Sequence, residues 1–140
     1  MILFCDTSAL IKLYIAELES DALKSRLLEA EAVAVCRIAW VEAHAALARR
    51  AREVPEDTDL IEQAKKLLAI DWPRYVLIEI DQSLVEKAGE FADTFALRGY
   101  DSVQLASAFK VQLITESEVC FACFDVRLNR VAKILGLHCL

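Results

Sequence analysis

Short uninterrupted apolar runs alternate along this chain with longer segments of helical periodicity, and few folds can use such an order. Ile2-Leu3-Phe4-Cys5 contains no polar residue, and neither does Val119–Phe124. A strand that is polar on neither side must be covered on both faces, as strands are in a parallel sheet. Ala32–Val35 and Tyr75–Ile80 are further strand candidates, and Leu137–Leu140 is a short edge strand. Helical patterns separate these runs. They predict helices over Ala9–Ile15 behind Asp6-Thr7-Ser8, Asp21–Ala30 behind Ser20, and Ile38–Arg52. A fourth helix follows Asp57-Thr58-Asp59, with Leu60, Ile61, Ala64, Leu67 and Leu68 as its apolar stripe. The rest run from Asp81 or Ser83 to about Leu97, over Tyr100–Val111, and over Val126–Leu135. Arg98-Gly99 reads as the stop of the fifth helix, with the glycine just past its C-cap, and Gly136 as the stop of the last. With right-handed crossovers, this order predicts a three-layer α/β/α fold around a parallel sheet of four to five strands, residues 1–140 forming one domain.

Composition narrows the function classes. At 140 residues and 56% hydrophobic, the chain can bury a core of its own and is not disordered. Asp6, Lys12, Arg37 and Glu42 interrupt its most apolar stretches, so no membrane-spanning run exists, and no basic segment marks a signal peptide. Five cysteines, an odd number scattered through a large core, point to a reducing compartment and a cytoplasmic location. Sixteen basic against 22 acidic residues give a net charge of −6, which argues against a general nucleic-acid coat. A local basic rim around an acidic centre is still compatible with that balance.

Four acids sit where an acid is locally out of place. Asp6 ends the first apolar run and Asp125 ends Val119–Phe124, positions that fall at the carboxyl ends of strands, where open α/β sheets bind ligands. Glu42 has Ile38, Ala39, Ala45 and Ala46 three and four residues away, so it lies on an apolar helix face. Asp101 shares a stripe with Leu105 and Ala108. Each has an ordinary explanation alone: Asp6 and Asp125 as N-caps, Asp101 as a first-turn acid favoured by the helix dipole, Glu42 as the partner of a core arginine. Together, with few bases placed to neutralise them, they form a candidate site for a hard divalent cation.

These residues also resemble a known family. Asp6-Thr7-Ser8-Ala9-Leu10 after a hydrophobic strand, Glu42 in Trp40-Val41-Glu42-Ala43, Asp101 in Leu97–Ala106, and Asp125 in Phe124-Asp125-Val126-Arg127-Leu128 match the pattern of PIN domains from end to end. The chain resembles VapC-type toxins of bacterial and archaeal toxin–antitoxin pairs. The resemblance implies a PIN-like fold, an Mg²⁺- or Mn²⁺-dependent endoribonuclease acting on RNA, homodimerisation, and inhibition by a cognate antitoxin protein, with no membrane partner. It implies that Asp6, Glu42, Asp101 and Asp125 are the catalytic and metal-binding acids, with Ser8 supporting Asp6. Two positions depart from the family pattern: Cys123 stands where Thr or Ser is common, and Gln104 where many relatives have His. An inactive PIN-like module that binds RNA or protein is the alternative.

Arg49, Arg50 and Arg52 form one basic cluster and Arg127, Arg130 and Lys133 another; Arg98 and Arg127 flank site acids and are the candidate RNA contacts. Arginines near helix C-termini are also favoured by the dipole alone. Trp40, Trp72 and the Tyr14 region could stack on bases, though such spacings more often serve core or interface packing, and the helices before Ala30 and after Pro55 suit a groove for an antitoxin segment. Cys120 and Cys123 lie three apart in a predicted strand and so face opposite sides, which favours packing over a zinc or redox pair. His44 shares a face with Trp40, Leu47 and Ala48 and reads as packing or a dimer contact. A phospho-acceptor role for Asp6 lacks its companion acid, because Ser8 stands two residues on.

Overall fold

The first apolar run forms β1 (Ile2–Cys5), and all four of its residues are buried, as a strand covered on both faces requires. The computed structural model describes residues 1–140 and flanks β1 with β2 (Ala32–Cys36), β3 (Val76–Ile78), β4 (Val119–Ala122) and β5 (His138–Cys139). The strand order is β3-β2-β1-β4-β5 and every pairing is parallel. Leu3 lies opposite Val33 on one side and Cys120 on the other. The chain winds outward from β1 to β3, then returns to the far side of β1 for β4 and β5. Strand order therefore reverses between β1 and β4, and a crevice opens above their carboxyl ends.

Seven helices cover the sheet: α1 (Thr7–Lys12), α2 (Ser20–Glu29), α3 (Ala39–Glu53), α4 (Thr58–Asp71), α5 (Gln82–Phe95), α6 (Gly99–Thr115) and α7 (Val126–Ile134). Strand residues alternate between the two layers. Leu3, Cys5, Val35, Cys120 and Ala122 pack with Leu10, Leu23, Ala43 and Leu68 of α1 to α4. Phe4, Cys36, Ile78, Phe121 and Cys123 pack with Leu84, Phe91, Leu105 and Leu128 of α5 to α7. The rings of Phe4 and Phe121, both fully buried, lie 5.9 Å apart in the second layer. Cys120 and Cys123 thus belong to opposite cores, as their spacing predicts, and all five cysteines are unpaired. No helix is long and apolar enough to cross a membrane.

Local chemistry moves several boundaries from their expected places. Helix α1 starts two residues early because Asp6 alone is its cap, accepting the Ala9 N–H at 2.9 Å, which puts Thr7 and Ser8 inside the helix. Ser20 is the first residue of α2 rather than its cap; its hydroxyl accepts the Glu17 N–H at 3.0 Å. Gly99 does not terminate α5. That helix ends at Ala96 in the left-handed region (φ 53), and the Arg127 guanidinium donates to the Ala96 carbonyl at 2.7 Å. Gly99 instead opens α6, with Arg98 as the preceding cap residue. On α4 the buried stripe is narrower than expected: Ile61, Ala64 and Leu68 are covered, while Leu60 and Leu67 are exposed.

The tilted Phe4–Phe121 pair across the β1/β4 boundary sets a stability prediction. Phe121→Ala should lower the free energy of unfolding by about 3–5 kcal/mol in urea denaturation. Leu28→Ala, at a position 88% exposed, should change it by less than about 0.5 kcal/mol.

Candidate active site

The crevice is furnished from the backbone outward. The Asp6 N–H donates to the Ala122 carbonyl at 3.1 Å, so the β1–β4 ladder runs one residue past β1 and fixes Asp6 at the strand end. Asp6 is one of few buried polar residues. Its Oδ1 accepts the Ser8 hydroxyl at 2.7 Å and the Ala9 N–H at 2.9 Å. Burial pushes the Asp6 pKa above the usual carboxylate value; bonds from Ser8, Ala9 and the Cys123 thiol oppose the rise, and the charge of Asp101 adds to it. Cys123, just past β4, is therefore part of the Asp6 environment.

Asp101 comes from the first turn of α6. Burial raises its pKa, the charge of Asp125 raises it further, and Arg98 works against both. Asp125 caps α7, its Oδ1 accepting the Leu128 N–H at 2.9 Å, while its own N–H donates to Cys123 Sγ at 3.3 Å. Asp6, Asp101 and Asp125 form a chain of like charges with Asp101 in the middle. Both strand-end aspartates do cap helices, and in each the cap bond falls on Oδ1.

Glu42 is brought in by α3 and held differently. Its Oε1 accepts the Thr7 hydroxyl at 2.8 Å and the Gln104 amide at 2.9 Å. Thr7 follows Asp6 and Gln104 lies one turn beyond Asp101, so Glu42 is tied to both through their neighbours. Sequence reasoning placed Thr7 only in a cap and treated Gln104 only as a departure from family pattern. The available signal was an amide at i+3 from Asp101 on a helix face otherwise lined by Leu105 and Ala108.

The basic residues divide sharply. Arg49 pairs with Glu53 and Arg50 with Glu17 and Asp57, away from the acids. Arg127 is engaged by the carbonyls of Phe95 and Ala96 at the end of α5. Arg98 has no ion-pair or hydrogen-bond partner for its side chain; it lines, with Leu97, Asp101, Asp125, Arg127 and Leu128, a cleft of about 270 Å³. His44 donates from Nδ1 to the Trp40 carbonyl at 2.7 Å, and its ring packs 4.5 Å from that of Trp40, in keeping with the packing side of its expected role.

The donors present are carboxylates and hydroxyls, the set preferred by a hard cation, and their mutual repulsion would be relieved by one. No three His, Cys, Asp or Glu side chains already converge into a closed metal cage. Mg²⁺ does not need one, since it keeps several waters and commonly takes one or two carboxylates besides a substrate phosphate. The residues fit a partly hydrated divalent cation.

A five-stranded parallel sheet with interacting carboxylates at its switch point defines an α/β protein with an acidic, oxygen-donor centre. The model of the PIN domain family matches residues 3–134, and the chain belongs to that family. Ribonuclease VapC45 of Mycobacterium tuberculosis (strain CDC 1551 / Oshkosh) is 30% identical over 135 residues, 96% of this chain and 92% of that protein. Ribonuclease VapC49 of the H37Rv strain (ATCC 25618) gives the same identity and coverage. Among solved structures, VapBC2 from Rickettsia felis, bound to a DNA fragment from their promoter, shares the fold. Its TM-score is 0.68 at 14% identity, covering 100% of this chain and 98% of that one.

The like charges set a test on the cation-free protein. Asp6 and Asp101 have folded-state pKa values above their unfolded ones, so the folded chain binds protons more readily; the cost of ionising them is absent below about pH 4 and complete once pH exceeds the raised values. At pH 7 in chelator, Asp101→Asn should therefore raise the thermal midpoint relative to wild type, by the equivalent of about 1 kcal/mol or less after solvent screening. That advantage should shrink toward pH 4, and a midpoint lowered at pH 7 would contradict the assignment.

Proposed function

We propose that this chain is a divalent-metal-dependent endoribonuclease, the toxin of a VapBC-type pair, which hydrolyses RNA phosphodiester bonds with water as nucleophile. The single observation that carries this reading is the chain of interacting carboxylates Asp6–Asp101–Asp125 at the sheet's switch point, with an unpaired Arg98 beside it. The ribonuclease names of the two relatives and the fold shared with a VapBC complex support it.

In this reading Asp6, Glu42, Asp101 and Asp125 hold Mg²⁺ or Mn²⁺. When bound, the cation supplies neutralisation of phosphoryl charge and a more acidic water. The chain's own residues supply position. Ser8 and the Ala9 N–H hold one Asp6 oxygen, so the carboxylate keeps one orientation. Arg98 takes a non-bridging phosphate oxygen through a charge-assisted bond. Arg127, anchored on the α5 carbonyls, steadies the turn that presents Arg98. Residues 1–140 act as one unit in the cytoplasm, where five unpaired thiols stay reduced. The exposed Leu28 of α2 and Leu60 and Leu67 of α4 offer apolar surface to an antitoxin or a second copy. One observation favours the alternative of a PIN-like module that binds without cutting, namely the lack of a preformed three-ligand cage.

End-labelled single-stranded and hairpin RNAs distinguish the two. Wild type should cut them with Mn²⁺ and not in chelator, and Asp6→Asn should lower the rate at least about 100-fold. Products should end in a hydroxyl and a monophosphate, without a 2′,3′-cyclic phosphate, because water rather than the 2′-hydroxyl attacks. Full cleavage by Asp6→Asn, or in chelator, would overturn the proposal.

A further inference from the structure

We propose that Gln104 and Thr7 form a two-donor clamp that fixes the Glu42 carboxylate at the candidate cation site, which makes Gln104 a positioning residue. The inference rests on the metal-dependent reading above. Three atoms close a triangle: Thr7 Oγ1 donates to Glu42 Oε1 at 2.8 Å, and Gln104 Nε2 donates to Glu42 Oε1 at 2.9 Å and to Thr7 Oγ1 at 3.1 Å. Thr7 has one hydroxyl proton, which it gives to the carboxylate while accepting from the amide, so the donor directions agree around the ring. The opposite amide orientation would set a carbonyl oxygen against an anionic one. All the protein hydrogen bonds fall on Oε1 of Glu42 and leave Oε2 available.

Packing alone does not account for Gln104. The residue is only 3% exposed, on a stretch of α6 where Leu105, Ala106, Ala108 and Val111 are buried and apolar. Its Oε1 is buried without any hydrogen-bond partner. Leucine would fill a similar volume and leave no orphaned oxygen, whereas an unsatisfied buried carbonyl is a standing cost. The Gln104 amide, by contrast, is fully used on Glu42 and Thr7, so the side chain's polar contacts point to the carboxylate it holds. The clamp also spans the molecule. Thr7 and Glu42 belong to the α1–α4 layer and Gln104 to the opposite one, so the three bonds join the layers over the carboxyl edge of the sheet. Groups of this kind, which orient a metal ligand from behind, typically change affinity by about 10–100-fold when removed.

The test separates position from packing by sign. Mn²⁺ affinity of the full chain is measured by the electron paramagnetic resonance signal of free Mn²⁺, and the thermal midpoint is measured without cation. Gln104→Leu should weaken Mn²⁺ binding about 10–100-fold while the midpoint stays level or rises. Thr7→Val should weaken binding similarly and Thr7→Ser should keep it near wild type. The double variant Thr7→Val/Gln104→Leu should lose little more than the weaker-binding single variant, because both act through one carboxylate. The Thr7 pair keeps the test decisive if Gln104→Leu does not fold. Wild-type affinity in Gln104→Leu or Thr7→Val, or a loss of affinity accompanied by a matching fall in midpoint, would overturn the clamp alone. No Mn²⁺ binding by wild type would overturn the metal reading and the clamp with it.

Discussion

The pairing of β1 with β4 is the constraint on which the rest of this structure depends. These strands are buried throughout, they lie where the two windings of the chain meet, and their ladder continues into the Asp6 N–H and Ala122 carbonyl. A buried parallel pair has no free polar edge, so the backbone must leave the sheet at a defined residue and begin a helix. On β1 that residue is Asp6, and past β4 it is Asp125; each satisfies helix N–H groups with one carboxylate oxygen. The same geometry that makes good caps therefore gathers acids above the sheet.

Their gathering has an energetic consequence. A carboxylate that caps a helix is ordinarily stabilised in its charged form. Here burial and like-charge proximity raise Asp6 and Asp101 instead, with one unpaired arginine, Arg98, to oppose them. The fold thus concentrates like charge at one edge of the sheet, a cost that a bound divalent cation would relieve. The rim arginines differ in kind, since Arg127 has a structural engagement and Arg98 has none. On the proposed function, the formal charge of −6 does not exclude an RNA substrate, because Arg98 and Arg127 lie together beside the acids at one edge.

Much of this was legible in the sequence, and for physical reasons. The unbroken apolar runs Ile2–Cys5 and Val119–Phe124 signal strands covered on both faces; the first is a strand throughout and the second is one over Val119–Ala122. The acids after them, and the capping they perform, follow from the same local grammar. Long-range bonds were not legible. Gly99 looked like a helix stop because no local rule reveals that Arg127, 31 residues from Ala96, donates to the last carbonyl of α5. Leu60 and Leu67 read as core because periodicity gives a stripe's direction but not its width. The contact between Thr7 and Gln104, 97 residues apart, is created by the sheet that brings α1 and α6 to one edge. The candidate acids stood out in the sequence as types; the bonds that hold them in place come from tertiary structure.

Anomalous scattering from a Mn²⁺-soaked crystal tests the central claim most directly. The account predicts a manganese peak at the carboxyl ends of β1 and β4, within coordinating reach of Asp6 and in the company of Asp101 and Asp125, with Glu42 directed at it or at its waters. A fully ordered site with no manganese at saturating concentration, or manganese bound only elsewhere on the chain, would contradict it.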